Sequence, residues 1–174
     1  MTPKIVAIAG STRQKSLHKE LARGAAHEAE RLGFDATFVD LADLPMPLYD
    51  GDLETETGVP ESAHRLYELL AEADAVLIAS PEYNGGYTAV LKNAIDWVTR
   101  IDRSVFARPT LLVSTSPGRG GGAKGLALLR RTLEHMRVPV VADFSLPNAG
   151  PGVGTHPAVR NQLGKLVADA VQVD

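Results

Sequence analysis

The chain has 174 residues, 44% hydrophobic and 22% charged, with a formal net charge of −3 and no cysteine. These totals fit one globular domain over 1–174 with a buried core, and the slight acidity, without any basic run, argues against nucleic acid or an anionic membrane as partner. Without cysteine there are no disulfides, thiolate nucleophiles or iron–sulfur clusters, and His18, His27, His64, His135 and His156 lack metal-ligand spacing, so no metal site is expected and redox chemistry requires an organic cofactor.

The start, "MTPKIVAIAG", has one lysine and a short apolar run with no cleavage-type tail, and reads as a strand rather than a signal peptide. No apolar stretch is long enough to span a bilayer, so a cytoplasmic protein is expected. The first strand (4–10) leads into "GSTRQKS", where a glycine turn, two hydroxyls, Arg13 and a helix-capping Ser16 assemble an anion site suited to a phosphate; the spacing is not that of a P-loop. Taken alone, the same residues make an ordinary helix cap with a surface arginine. A helix over 16–32, a strand over 34–40 and a Gly/Pro-rich loop over 43–60 follow, then a helix over 60–72.

The third strand, 74–80, is apolar throughout and ends in "SPEYNGG". Pro81 stops it, the two glycines leave the backbone bare, and Glu82, Tyr83 and Asn84 stand where simple turn formers are expected. Helix 87–101 carries a sheet-facing stripe of Leu91, Ala94, Ile95 and Val98. Val90, Trp97 and Ile101 widen it into an arc that indicates a subunit interface, with Trp97 as its anchor or, equally, as a core residue. A fourth strand (109–116) precedes "STSPGRGGGAKG" and a leucine-striped helix over 122–136. A fifth strand (138–144), a second Gly/Pro-rich loop (147–157) and a helix over 156–171 complete the chain.

Five consecutive βα units predict an α/β fold with a doubly wound parallel sheet of order 2-1-3-4-5, helices on both faces, and ligands at the carboxyl ends of strands 1, 3 and 4. The loops 43–60 and 147–157 are either flaps over such a site or irregular connections. A competing pattern lies after the fourth strand. Gly118, Gly120 and Ala123 fit G-x-G-x-x-A, with Asp143 about twenty residues on, as in a dinucleotide-binding dehydrogenase, although that fingerprint normally opens the first βα unit.

The three loops together suit a flat ligand with a single phosphate, such as a flavin mononucleotide. In these blocks the chain resembles the NAD(P)H-dependent FMN reductases, flavodoxin-like proteins that include quinone, azo-dye and chromate reductases. The first block is Gly10, Ser11, Arg13 and Ser16; the second is the long run from Ser80 to Trp97; the third is Ser116, Gly118, Gly121 and Gly122. His18, Gly86 and Thr88 depart from the family's usual asparagine, serine and proline.

The resemblance implies an FMN phosphate held by Ser11, Arg13 and Ser16, with His18 beside it. It places the flavin ring between Pro81, Glu82, Tyr83 and Asn84 on one loop and Ser116, Gly118, Arg119, Gly120 and Gly121 on the other. It implies NADPH or NADH as hydride donor, a quinone, flavin or similar small molecule as electron acceptor, no catalytic acid or base, and a homodimer or a tetramer built from dimers. The alternatives are a flavodoxin-type electron carrier without a nicotinamide site and the dehydrogenase suggested by the strand-4 glycines.

Overall fold

A computed structural model of the chain describes residues 2–171. Five parallel strands, β1 (Lys4–Ala9), β2 (Asp35–Asp40), β3 (Ala75–Ala79), β4 (Thr110–Thr115) and β5 (Val140–Leu146), form one sheet in the order β2-β1-β3-β4-β5. This is the expected flavodoxin-like topology, and its central strands are buried along their whole length.

Alternation along the strands divides the core. Val6, Ile8, Val76, Ile78 and Leu112 face α3 (Glu61–Ala71), α4 (Ala89–Ile101) and α5 (Ala123–His135), which contribute Leu66, Leu70, Leu91, Ile95, Val98, Leu129 and Leu133. Ile5, Ala7, Ala9, Leu77, Leu111 and Val113 face α1 (Leu17–Arg31) and α6 (Pro157–Val171) on the other side. The buried face of α1 is built mostly of Ala22, Ala25, Ala26 and Ala29, small side chains that let the helix lie close to the sheet. Among the described residues no helix is long and apolar enough to cross a membrane.

The segment 43–60, read as either a flap or an irregular connection, is neither alone. It contains a short helix, α2 (Gly51–Thr57), capped by Asp50 and burying no residue, which explains why no apolar periodicity announced it. Its leading half is fastened to α4 rather than to the ligand-binding rim. Asn93 accepts from the Tyr49 amide at 2.8 Å and donates to the Pro47 carbonyl at 2.8 Å, and the Trp97 indole donates to the same carbonyl at 2.7 Å. Tyr49 packs edge-on against Trp97 with ring centroids 5.0 Å apart.

Trp97 is therefore not available as an interface anchor: its side chain is fully buried within its own chain. A second departure concerns Asp143. It lies in the middle of β5, level with Leu112 on β4, and is ion-paired to Arg130 of α5. The carboxylate that would complete a dinucleotide fingerprint is thus on the helix-packing flank, away from the strand ends.

Candidate active site

Three loops meet at the carboxyl edge of the sheet and wall a cavity of about 630 Å³, within the range of small-molecule and cofactor sites. The first wall is the β1–α1 loop. Ser16 caps α1, its hydroxyl oxygen accepting from the His18 amide at 3.2 Å. Ser11 accepts from the Arg13 amide at 3.3 Å in the same way. Neither hydroxyl proton has a protein acceptor among the described residues. Among the described residues, the amides of Thr12, Gln14, Lys15 and Leu17 have no protein acceptor. Orphan amides at a helix start, two hydroxyls, and the side chains of Arg13 and Lys15 make a donor set fitted to a phosphate dianion.

The second wall follows β3. Tyr83 and Gly86 exchange backbone hydrogen bonds of 2.8 and 3.0 Å around Asn84 and Gly85, whose φ angles are 53° and 80°. Positive φ at both central positions is the Asn-Gly reverse turn, so Asn84 serves the turn and does not reach the cavity. Pro81, Glu82 and Tyr83 do line it, and Tyr83 is half exposed at its mouth. The carboxylate of Glu82 accepts from the Gly125 amide at 3.0 Å, in the first turn of α5. A side chain at Gly125 would collide with Glu82 and with the Gly86 carbonyl, so this glycine lets the β3 and β4 loops lie against each other.

The third wall follows β4: Thr115, Ser116, Pro117, Gly120 and Gly122 face the cavity. Gly118 and Arg119 lie outside it, and Gly121 is packed against the backbone of Pro147. Of the thirteen residues singled out in the sequence, nine share one cavity (Ser11, Arg13, Ser16, His18, Pro81, Glu82, Tyr83, Ser116 and Gly120), and Asn84, Gly118, Arg119 and Gly121 do not line it. Lys15, Leu17, Thr115 and Pro117 also line it and carried no separate signal, although each adjoins a residue that did; Gly122, part of the third motif block, lines it as well. A fourth wall, Ala149, Gly150 and Pro151, comes from the loop after β5.

Two buried contacts position the first wall. Thr88 caps α4, accepting from the Leu91 amide at 3.3 Å, while its hydroxyl donates to the Gly10 carbonyl at 2.7 Å. The hydroxyl thus fixes the glycine turn from below, a task that the family's usual proline at this position has no hydroxyl to perform. Lys19, in the first turn of α1, pairs with Asp40 at the end of β2 at 2.7 Å, with both side chains less than a tenth exposed.

His18 is buried between the first and third walls. Its Nε2 accepts from the Thr115 amide at 3.2 Å, which requires the proton of the neutral ring to sit on Nδ1. Among the described residues Nδ1 has no protein partner, and the ring lines the cavity. Burial disfavours the imidazolium and lowers the pKa from the ordinary 6.5 to about 4. The unfolded chain takes up this proton below about 6.5 and the folded chain only near 4. The contribution to stability is therefore complete above pH 6.5 and is lost as pH falls through that window. Urea midpoints of the flavin-free protein between pH 7 and pH 4 are expected to fall less steeply in His18→Asn than in the wild type; parallel slopes contradict a buried neutral His18.

A site with a phosphate cradle at one end and two loop walls along its length fits FMN. Residues 3–150 match the model of the family described as NADPH-dependent FMN reductase. The chain is 37% identical over 153 residues to an NAD(P)H-dependent FMN reductase of Pseudomonas aeruginosa, covering 84% of this chain and 80% of that protein. It is 36% identical over 121 residues to an NADPH:quinone oxidoreductase of Arabidopsis thaliana, a match that spans 68% of this chain and 61% of the plant protein. Among solved structures, the flavoenzyme FerB, an NAD(P)H:(acceptor) oxidoreductase of Paracoccus denitrificans, superposes with a TM-score of 0.78 at 28% identity, each chain being 98% covered. These likenesses do not favour an electron carrier or a dinucleotide-fingerprint dehydrogenase. The chain belongs to the NADPH-dependent FMN reductase family.

Proposed function

We propose that the rim cavity is an FMN site at which a nicotinamide is oxidised and a small acceptor of quinone type is reduced. When bound there, FMN supplies the redox chemistry, taking a hydride from NADPH or NADH and passing the electrons on to the acceptor. The residues supply binding and position. Arg13, Lys15, Ser11, Ser16 and the orphan amides at the start of α1 hold the phosphate. His18 offers a neutral Nδ1–H donor beside it. Pro81–Tyr83 and, on the third wall, Ser116, Pro117, Gly120 and Gly122 border the ring, and the backbone amides of the glycine loop oppose negative charge at its edge.

The observation that carries this reading is the convergence of a phosphate-type donor set and two ring-bordering loops on one cavity. No side-chain acid or base is required in this scheme, consistent with Glu82 being engaged at the start of α5. The chain acts as one FMN-binding domain, in the cytoplasm. It forms a homodimer, or a tetramer of two dimers, through the outer face of α4, where Val90 and Ile101 are only partly covered. Steady-state NADPH oxidation by the FMN-loaded protein with a benzoquinone acceptor tests the activity. Parallel double-reciprocal lines, the signature of two alternating half-reactions, are expected; NADPH oxidation that proceeds equally well without FMN contradicts the scheme.

A further inference from the structure

The loop after β5 was expected either to be a flap or an irregular connection, and the structure makes it a strap tied at both ends. At its start, the Ser116 amide donates to Leu146, Asn148 donates to the Gly118 carbonyl and Ala149 donates to the Ser116 carbonyl, all between 3.0 and 3.2 Å. These bonds join it to the glycine loop of the third wall. At its far end the Gly152 amide donates to the Glu20 carboxylate at 2.8 Å, and Val153 is buried in the core between α1 and the sheet.

The next residue closes the seat. Gly154 lies so near α1 that a side chain there would collide with the Glu20 carbonyl oxygen, and a side chain at Gly24 would collide with the Gly154 carbonyl oxygen. Only Gly150 and Pro151 separate the tie at Ala149 from the tie at Gly152. That span is three peptide links, at most about 11 Å, and proline fixes one of its φ angles, so the segment is short and restricted while both ties hold. Ala149, Gly150 and Pro151 are the residues that face the cavity. The family match ends at residue 150, before Gly152 and Gly154.

We infer that residues 149–154 are a fixed retaining wall, and that their seat on Glu20 and Gly24 makes FMN a slowly exchanging resident of this protein rather than a freely exchanging co-substrate. The inference rests on the FMN reading above. The strap bridges α1, which begins at the phosphate cradle, and the glycine loop on the ring side, so it closes the flank that these two elements leave between them. Release then requires a tie to break, and the dissociation rate carries the cost of breaking it. Glu20 and Gly154 are positioning residues: neither lines the cavity, and each acts through the strap.

The test measures FMN release from the loaded protein after dilution, by the rise of free-flavin fluorescence, in the wild type, Glu20→Ala and Gly154→Ala. Hydrogen exchange at the Gly152 amide of the flavin-free proteins reads the seat without any flavin. Glu20→Ala is expected to speed exchange at Gly152 and to raise the release rate about threefold, the effect of losing one partly exposed hydrogen bond. Glu20→Gln, which keeps an acceptor, restores both. Gly154→Ala is expected to raise release tenfold or more, ~1.4 kcal/mol or above. Should Gly154→Ala fail to fold, the glutamate pair decides the matter alone. Faster exchange at Gly152 with unchanged FMN release overturns the retaining wall, as does a Gly152 amide that exchanges equally fast in all the proteins. A wild-type protein that binds no FMN overturns the functional reading itself and is recognised before any variant is compared.

Discussion

Replacing both Arg13 and Ser16 with alanine is expected to weaken FMN binding by several kcal/mol. Hydrogen bonds to a charged group contribute about 1.5–3 kcal/mol each, and the pair removes one charged and one hydroxyl donor from the cradle. The cap that Ser16 gives to α1 is lost as well, at a cost of about 1 kcal/mol in stability, so binding is compared well below the unfolding transition. Riboflavin provides the control. It lacks the phosphate, and its affinity is expected to change little in the double variant. Equal affinity of variant and wild type for FMN refutes the phosphate cradle; equal losses for FMN and riboflavin indicate a general loosening of the loop.

The Lys19–Asp40 pair predicts the largest loss of stability. Both side chains are almost completely enclosed, and Asp40 also accepts from the Ala42 amide at 2.9 Å. Lys19→Met leaves a buried carboxylate without its counter-charge, a change that costs about 3–5 kcal/mol when one partner of a buried pair is removed. Denaturant unfolding should show that loss with an unchanged m-value. The double variant Lys19→Met/Asp40→Leu is expected to recover much of it, because the desolvated charges disappear together. A single variant as stable as the wild type contradicts an enclosed pair. Because the pair fastens the first turn of α1, which begins at the cradle, Lys19→Met should also weaken FMN binding more than riboflavin binding.

The stretch from Ser80 to Trp97 shows what the sequence made legible and what it concealed. Its resemblance to the FMN reductases located the site, and Pro81, Glu82 and Tyr83 do line the cavity. The same stretch does four other jobs that residue types alone could not separate. Asn84 and Gly85 close a turn, the Glu82 carboxylate serves α5, Thr88 holds the Gly10 carbonyl, and Asn93 and Trp97 clamp the loop before α2. Asn93 and Trp97 are four residues apart, so they share one face of α4, but nothing in that spacing says whether another subunit or the chain's own loop will cover it. The partner depended on where 45–50 would fold, which is a tertiary question.

Strand order followed from alternation and handed crossovers and needed no side-chain detail. The polar helix α2 buries nothing and gave no apolar signal. Loop 147–157 was legible only as a flap or an irregular connection, and its seat was hidden for a different reason. Glycines at 150, 152 and 154 read as generic loop formers, and only the backbone contact between Gly24 and Gly154, 130 positions apart in sequence, reveals a seat. The buried Lys19–Asp40 pair was hidden likewise, since a lysine on a helix ordinarily faces solvent.

The central claim is that this cavity couples a nicotinamide to FMN, and a visible absorption spectrum tests it most directly. The purified protein is examined without additions, after FMN, and then after NADPH or NADH in the absence of oxygen. The account predicts the bands of a bound oxidised flavin, bleached within the mixing time by a nicotinamide and restored when a quinone is added. Flavin that binds but is not bleached by either nicotinamide, or a protein that does not perturb the flavin spectrum at all, contradicts it.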